Sequence, residues 1–112
     1  MGLPKGATGT SDVGHLTIGT GRTIFQPLAR INKSIETGEF DKNKVLLSAI
    51  EHAKKNNKSL HLLGIPTDGA VHGHIDHLLK LLELCAKHKL SNVYVHYFTD
   101  GRDTPPKSAL KY

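Results

Sequence analysis

Three short stretches hold residue types that could do chemistry. The first is Gly9-Thr10-Ser11-Asp12-Val13-Gly14-His15-Leu16, where one hydroxyl sits among small residues just ahead of an apolar run. A serine at a helix start has backbone N–H groups and the positive dipole end beside it, so it suits a nucleophile, a phosphate contact or a phosphorylated side chain. The same Ser-Asp pattern is more commonly a plain helix cap. The second stretch, Asp100-Gly101-Arg102-Asp103, supplies a guanidinium that can grip a carboxylate or phosphate with two prongs. It also supplies a carboxylate that can orient a hydroxyl or move a proton. From the motif alone, a turn with a surface Arg-Asp pair has equal standing. Thr104-Pro105-Pro106 stiffens this loop. The third stretch is the loop 66–74, in which His72 is a candidate acid/base group or phosphate donor, although a loop histidine is more often merely exposed.

A competing pattern overlaps the third stretch. His72-Gly73-His74-Ile75-Asp76-His77 resembles the His-x-His-x-Asp-His zinc signature of metallo-β-lactamase-like hydrolases, and neutral imidazoles with a carboxylate are suitable zinc ligands. That fold needs stacked sheets and ligands well downstream, whereas here only His88 and His96 follow and the motif runs straight into a leucine-rich helix. A zinc-dependent hydrolase is therefore the second expectation. A noncatalytic phosphate-binding module is the third.

The elements that must position these residues follow from the apolar spacing. Residues 1–24 are rich in Gly and Thr and read as loop, with a short helical turn after Ser11 and a glycine-broken connection through Gly19 and Gly21. Phe25, Leu28, Ala29, Ile31 and Ile35 predict a helix over 25–37, stopped by Gly38. Val45, Leu46, Ala49, Ile50 and Ala53 predict a second over 42–56. The run 59–65 reads as a buried strand, 75–88 as a strong helix and 93–98 as a second strand. In the helix, Ile75, Leu78, Leu79, Leu82, Cys85 and Ala86 share a face that Leu81 and Leu84 widen. Strand, helix and strand with short connections make a βαβ unit. The fold class is thus α/β, a Rossmann-like parallel-sheet fragment with helices packed on the sheet and a loop-rich segment before it. Loops that leave the carboxyl edge of a parallel sheet converge where such sheets bind ligands. His72, His74, Asp100, Arg102 and Asp103 can therefore meet although they are far apart in the chain.

Composition narrows the field. A chain of 112 residues suits one small domain, too small for a roomy two-domain cleft. With 38% hydrophobic and 22% charged residues and no long apolar run, it reads as soluble and gives no membrane expectation. Cys85 stands alone, which excludes an internal disulfide and fits a reducing compartment. No signal-peptide layout opens the chain, so the cytoplasm is the default. The formal charge of +5 and eight histidines favour anionic partners. The lysines are scattered over helix faces without interleaved aromatics, which reads as a solvated surface and not as a nucleic-acid face. No terminating signal follows Leu110, so the chain is expected to stop partway through a longer one.

Laid side by side, the three stretches resemble the cofactor-independent phosphoglycerate mutase family almost end to end. Gly2-Leu3-Pro4 and the segment from Gly9 to Arg22 are similar to that family's GLP…GNSEVGHLNIGAGR. The segment from Asp68 to His77 is similar to its DGGVHSHxxH, and Val95-His96 through Ala109 to its VHxFxDGRDTPPxSA. The resemblance implies an isomerase of glycolysis and gluconeogenesis that interconverts 2-phosphoglycerate and 3-phosphoglycerate through a phosphoserine. Ser11 would be both nucleophile and a ligand to one of two divalent metals, usually manganese, with no need for 2,3-bisphosphoglycerate. His72, Arg102 and Asp103 would hold the substrate, Asp103 handling the glycerate hydroxyl proton. Residues 1–26 would belong to an alkaline-phosphatase-like metal domain and 27–112 to the start of the substrate-binding domain. The full-length protein would be a monomer, and the fragment alone inactive. Thr10, Asp12, Thr17 and Ala70 depart from the family pattern, standing where it has Asn, Glu, Asn and Gly.

Overall fold

The computed structural model describes residues 2–3 and 9–111; Pro4 of the opening motif and the terminal Tyr112 lie outside that set. The first helix, α1, spans Ser11–Thr20. It is longer than the expected single turn, because Gly14 and Gly19 are carried inside it with open space around them. Gly21 ends it in the left-handed conformation, φ 64°, which a residue without Cβ adopts without penalty. Upstream, the Gln26 N–H donates to the Gly2 carbonyl at 2.7 Å, tying the amino-terminal end to the entry of the next helix.

Helix α2 spans Pro27–Glu36 and starts two residues later than apolar spacing suggested. Pro27 explains the start, since its fixed φ and missing N–H suit the first helical position. Gly38, at φ 75°, lies just past the end. A 3-10 turn, Phe40–Lys42, then leads to α3, Lys44–Lys55. Asn43 sets that boundary: its Oδ1 accepts from the N–H groups of Val45 at 2.9 Å and Leu46 at 3.2 Å.

Strand β1, Leu60–Gly64, and strand β2, Val93–Tyr97, pair in parallel with Leu60 opposite Val93 and Gly64 opposite Tyr97. Helix α4, Ile75–Lys87, is the crossover between them. The expected βαβ unit is therefore present, in a two-stranded sheet among the described residues. The core lies between the helices and one face of that sheet. Ile50 and Ala53 of α3 meet Leu84 and Cys85 of α4 and Leu90, with Phe40, Leu46, Leu47, Leu60 and Val93 packed around them.

Several positions differ from the periodicity reading, and Ala49, Leu79 and Ala86, expected to face inward, are exposed. Val45 is 75% exposed, so the inward stripe of α3 runs through Leu46, Leu47, Ile50 and Ala53 instead. Strand β1, whose apolar run predicts a buried strand, is covered on one face only and leaves Leu63 67% exposed, because the helices pack over the other face. Among the described residues Leu84 is the largest fully buried side chain. Leu84→Ala is expected to cost about 3 kcal/mol by removing contacts and leaving a cavity, seen as a lower urea midpoint in far-UV circular dichroism.

Candidate functional site

Both strand-to-helix loops leave the same edge of the sheet. The last rung, from the Phe98 N–H to the Gly64 carbonyl at 3.0 Å, sends the two chains out side by side. Beyond it, His72 Nδ1 lies 2.7 Å from Asp103 Oδ2, joining residues 31 positions apart. A carboxylate only accepts, so His72 donates through Nδ1 and turns its Nε2 outward. The His72 side chain is 62% exposed and that of Asp103 only 21%, so the pair offers an open imidazole on a shielded carboxylate.

The 100–104 turn is built around Asp100. Its Oδ1 accepts from the N–H groups of Gly101 at 2.7 Å, Arg102 at 2.9 Å and Asp103 at 3.2 Å, while the Thr104 hydroxyl donates to Oδ2 at 3.1 Å. These donors, led by the Arg102 N–H and joined by those of Asp103 and Gly101, hold the Asp100 carboxyl down to about 2 against an ordinary 3.8. Asp100 is thus the frame of the loop, a role that sequence alone placed within reach of the ligand. Arg102 is exposed and engages no side chain among the described residues, which leaves its guanidinium available.

The 66–74 loop is fixed from below. Thr67 is 3% exposed; its carbonyl accepts from the Ile75 N–H at 3.1 Å and its Oγ1 from the Gly69 N–H at 3.3 Å. A Cβ on Gly69 would lie 3.2 Å from the Thr104 methyl and 3.3 Å from the Asp103 carbonyl, so the two loops touch there. The burial of Thr67 and Thr104 is not legible in the sequence, for hydroxyls in Pro- and Gly-rich loops carry no signal of it. Lys111 Nζ adds a second link between the loops, 2.9 Å from Asp68 Oδ2.

The zinc expectation does not survive this geometry. His74 caps α4, its Nδ1 accepting from the Asp76 N–H at 3.1 Å; carrying no proton there, it is a neighbour and not an ion-pair partner of the Asp76 carboxylate 3.5 Å away. His77 points to α2, where Nε2 donates to Asn32 Oδ1, and burial pushes its pKa down. His72 faces Asp103 instead. Among the described residues no group of three His, Cys, Asp or Glu is arranged to hold a metal. The pattern is a helix cap, one contact between loops and one contact between helices.

Ser11 opens α1, exposed, with its Oγ 3.2 Å from His15 Nδ1. No hydrogen bond or ion pair joins it to either loop among the described residues, so the structure unites His72 with Asp103, sets Arg102 on the same turn, and leaves Ser11 separate. The residues around Ser11 do not by themselves compose a divalent-metal site. Of the departures from the family pattern, Asp12 lies in the first turn of α1, where a carboxylate complements the dipole. Thr10 is the extended N-cap residue and makes no side-chain cap, and Thr17 Oγ1 is buried without a hydrogen-bond partner among the described residues.

Residues 31–112 match the model of the family described as the BPG-independent PGAM N-terminus. The chain belongs to this family. Relatives of the BPG-independent mutase N-terminus align with all 112 residues. They include proteins named 2,3-bisphosphoglycerate-independent phosphoglycerate mutase from Clostridium novyi (strain NT), 55% identical, and from Staphylococcus saprophyticus, 56% identical. A protein of the same name from Listeria monocytogenes serotype 4b is 53% identical over the same span. The chain covers 22% of the length of each.

Two outcomes follow for the loops. Because the Asp100 carboxyl is depressed in the folded chain, its contribution is complete above the ordinary value of 3.8 and is lost as pH falls toward about 2. The amide shifts of Gly101 and Arg102 are expected to hold steady above that window and move within it, and Asp100→Asn is expected to abolish the titration. Ala70 adopts φ 54°, a left-handed backbone that costs a Cβ-bearing residue. Ala70→Gly is expected to gain about 1 kcal/mol in thermal unfolding.

Proposed function

We propose that this chain supplies the phosphoryl acceptor and part of the substrate grip of a mutase that interconverts 2-phosphoglycerate and 3-phosphoglycerate. The observation that carries the reading is the 2.7 Å contact between His72 and Asp103 across two separate loops. It puts an imidazole and a carboxylate at one sheet edge beside an uncommitted guanidinium, and a phosphorylated hydroxy acid presents the matching anion and hydroxyl. The names borne by the relatives support it.

In this reading the Ser11 Oγ loses its proton and bonds to phosphorus as the bond from phosphorus to the glycerate oxygen breaks, and the freed glycerate oxygen gains a proton to become a hydroxyl, Asp103 handling the proton at that oxygen. The return step runs the same exchange on the other hydroxyl. Arg102 and the outward Nε2 of His72 hold the anionic substrate meanwhile. Residues 1–26 form a piece of the phosphatase-like part and 27–112 the start of the substrate-binding part, a division supported by the family match beginning at residue 31. Ser11 would be one ligand to two divalent ions, ordinarily manganese, which would neutralise phosphate charge; among the described residues no group of three His, Cys, Asp or Glu could hold such an ion by itself. The reading carries with it a cytoplasmic, monomeric full-length enzyme that needs no 2,3-bisphosphoglycerate and binds no nucleic acid.

Turnover is testable in a chimaera in which these 112 residues replace the matched segment of the Clostridium novyi relative. The chimaera is expected to interconvert the two phosphoglycerates and show phosphate on Ser11 by mass spectrometry, while the isolated chain shows no turnover. Ser11→Ala is expected to abolish both signals. His72→Ala and Arg102→Ala are each expected to raise KM about tenfold or more, from loss of a charge-assisted hydrogen bond. A chimaera that turns over as fast with Ser11→Ala would sink the reading.

A further inference from the structure

One contact on α1 is not used by the substrate loops. His15 lies one helical turn after Ser11, with Nδ1 2.8 Å from the Ser11 carbonyl oxygen and 3.2 Å from Ser11 Oγ. A carbonyl oxygen can only accept, so at 2.8 Å the nitrogen facing it carries a proton; a bare nitrogen there would set two lone pairs against each other. Neutral imidazole has one N–H. The unprotonated nitrogen of His15 is therefore Nε2, the one that does not touch Ser11.

This tautomer has a consequence for how the serine is served. A histidine beside a nucleophilic serine is usually read as its base, but a base must meet the hydroxyl with a bare nitrogen. Here the hydroxyl meets an N–H. We propose that His15 is a positioning residue for Ser11. Its Nδ1–H bridges the Ser11 carbonyl and Oγ, fixing the direction of the hydroxyl oxygen and giving it a donor as it gains charge. The His15 proton stays on Nδ1 throughout, and the serine hydroxyl, accepting from His15, keeps its own proton directed elsewhere. The carbonyl contact matters because it pins the ring to the helix backbone, so the donor is already in place before substrate arrives.

The proposal rests on the phosphoserine reading, and the same chimaera separates the two. In 15N spectra of histidine-labelled chimaera, His15 is expected to show the Nδ1–H tautomer, a readout independent of turnover. His15→Ala is expected to lower kcat and the rate of Ser11 phosphorylation about 10- to 100-fold with KM unchanged, the loss of one hydrogen bond to a charged group. His15→Asn, whose amide N–H can reach the same carbonyl, is expected to recover most of that loss, which guards against a variant that simply misfolds. An Nε2–H tautomer, or a His15→Ala chimaera with unchanged kcat and normal Ser11 labelling, overturns the positioning role alone. A chimaera never phosphorylated on Ser11 overturns the phosphoserine reading and this proposal with it.

Discussion

Two parallel strands cannot be joined by a tight turn, so β1 and β2 are connected by a crossover whose helix, α4, lies back against the sheet. That single constraint places the carboxyl ends of both strands at one edge and forces the loop after each to begin beside the other. The register completes it, because Gly64 stands opposite Tyr97 and the next amide still bonds across. His72 and Asp103 meet for this reason and not through any attraction strong enough to gather the loops itself; a single hydrogen bond with one partner open to solvent contributes little to stability.

What the pairing brings close, the loops then fix by different means. The turn after β2 is rigid because one carboxylate absorbs three amides and a hydroxyl, satisfying groups that a tight turn would otherwise leave without partners. The loop after β1 is held at its base by a buried threonine and runs through a strained alanine before reaching His72. The grip on Asp103 is thus stiffer than the grip on His72. A rigid acceptor facing a more open imidazole suits a site in which the carboxylate defines position and the imidazole follows the ligand.

Much of this was legible in the residues. The leucine-rich spacing of 75–87 and the two short apolar runs around it gave the crossover, and the topology then gave the shared edge without any knowledge of side-chain contacts. The helix boundaries were less legible, because Pro27 and Asn43 decide them through backbone chemistry that apolar periodicity does not contain. The histidine-rich motif misled for a related reason: imidazoles at metal-ligand spacing look alike whether they bind an ion, cap a helix or reach a neighbouring amide. Asp100 looked like one more ligand-facing acid, since nothing in a linear Asp-Gly-Arg-Asp distinguishes the carboxylate that builds the turn from the one the turn presents. The glycines of α1 suggested a break, but the helix carries Gly14 and Gly19 at positions that face open space, while Val13 is its buried residue.

The lone cysteine acquires a use from where the core places it. Cys85 is 2% exposed between α3 and α4, and burial pushes its thiol above the ordinary range, so it is both hidden and slow to ionise. A soluble alkylating reagent reaches that sulfur only when the two helices part. The rate of its modification therefore reports opening of this packing interface directly, with no label to introduce and no second thiol in the sequence to confuse the reading.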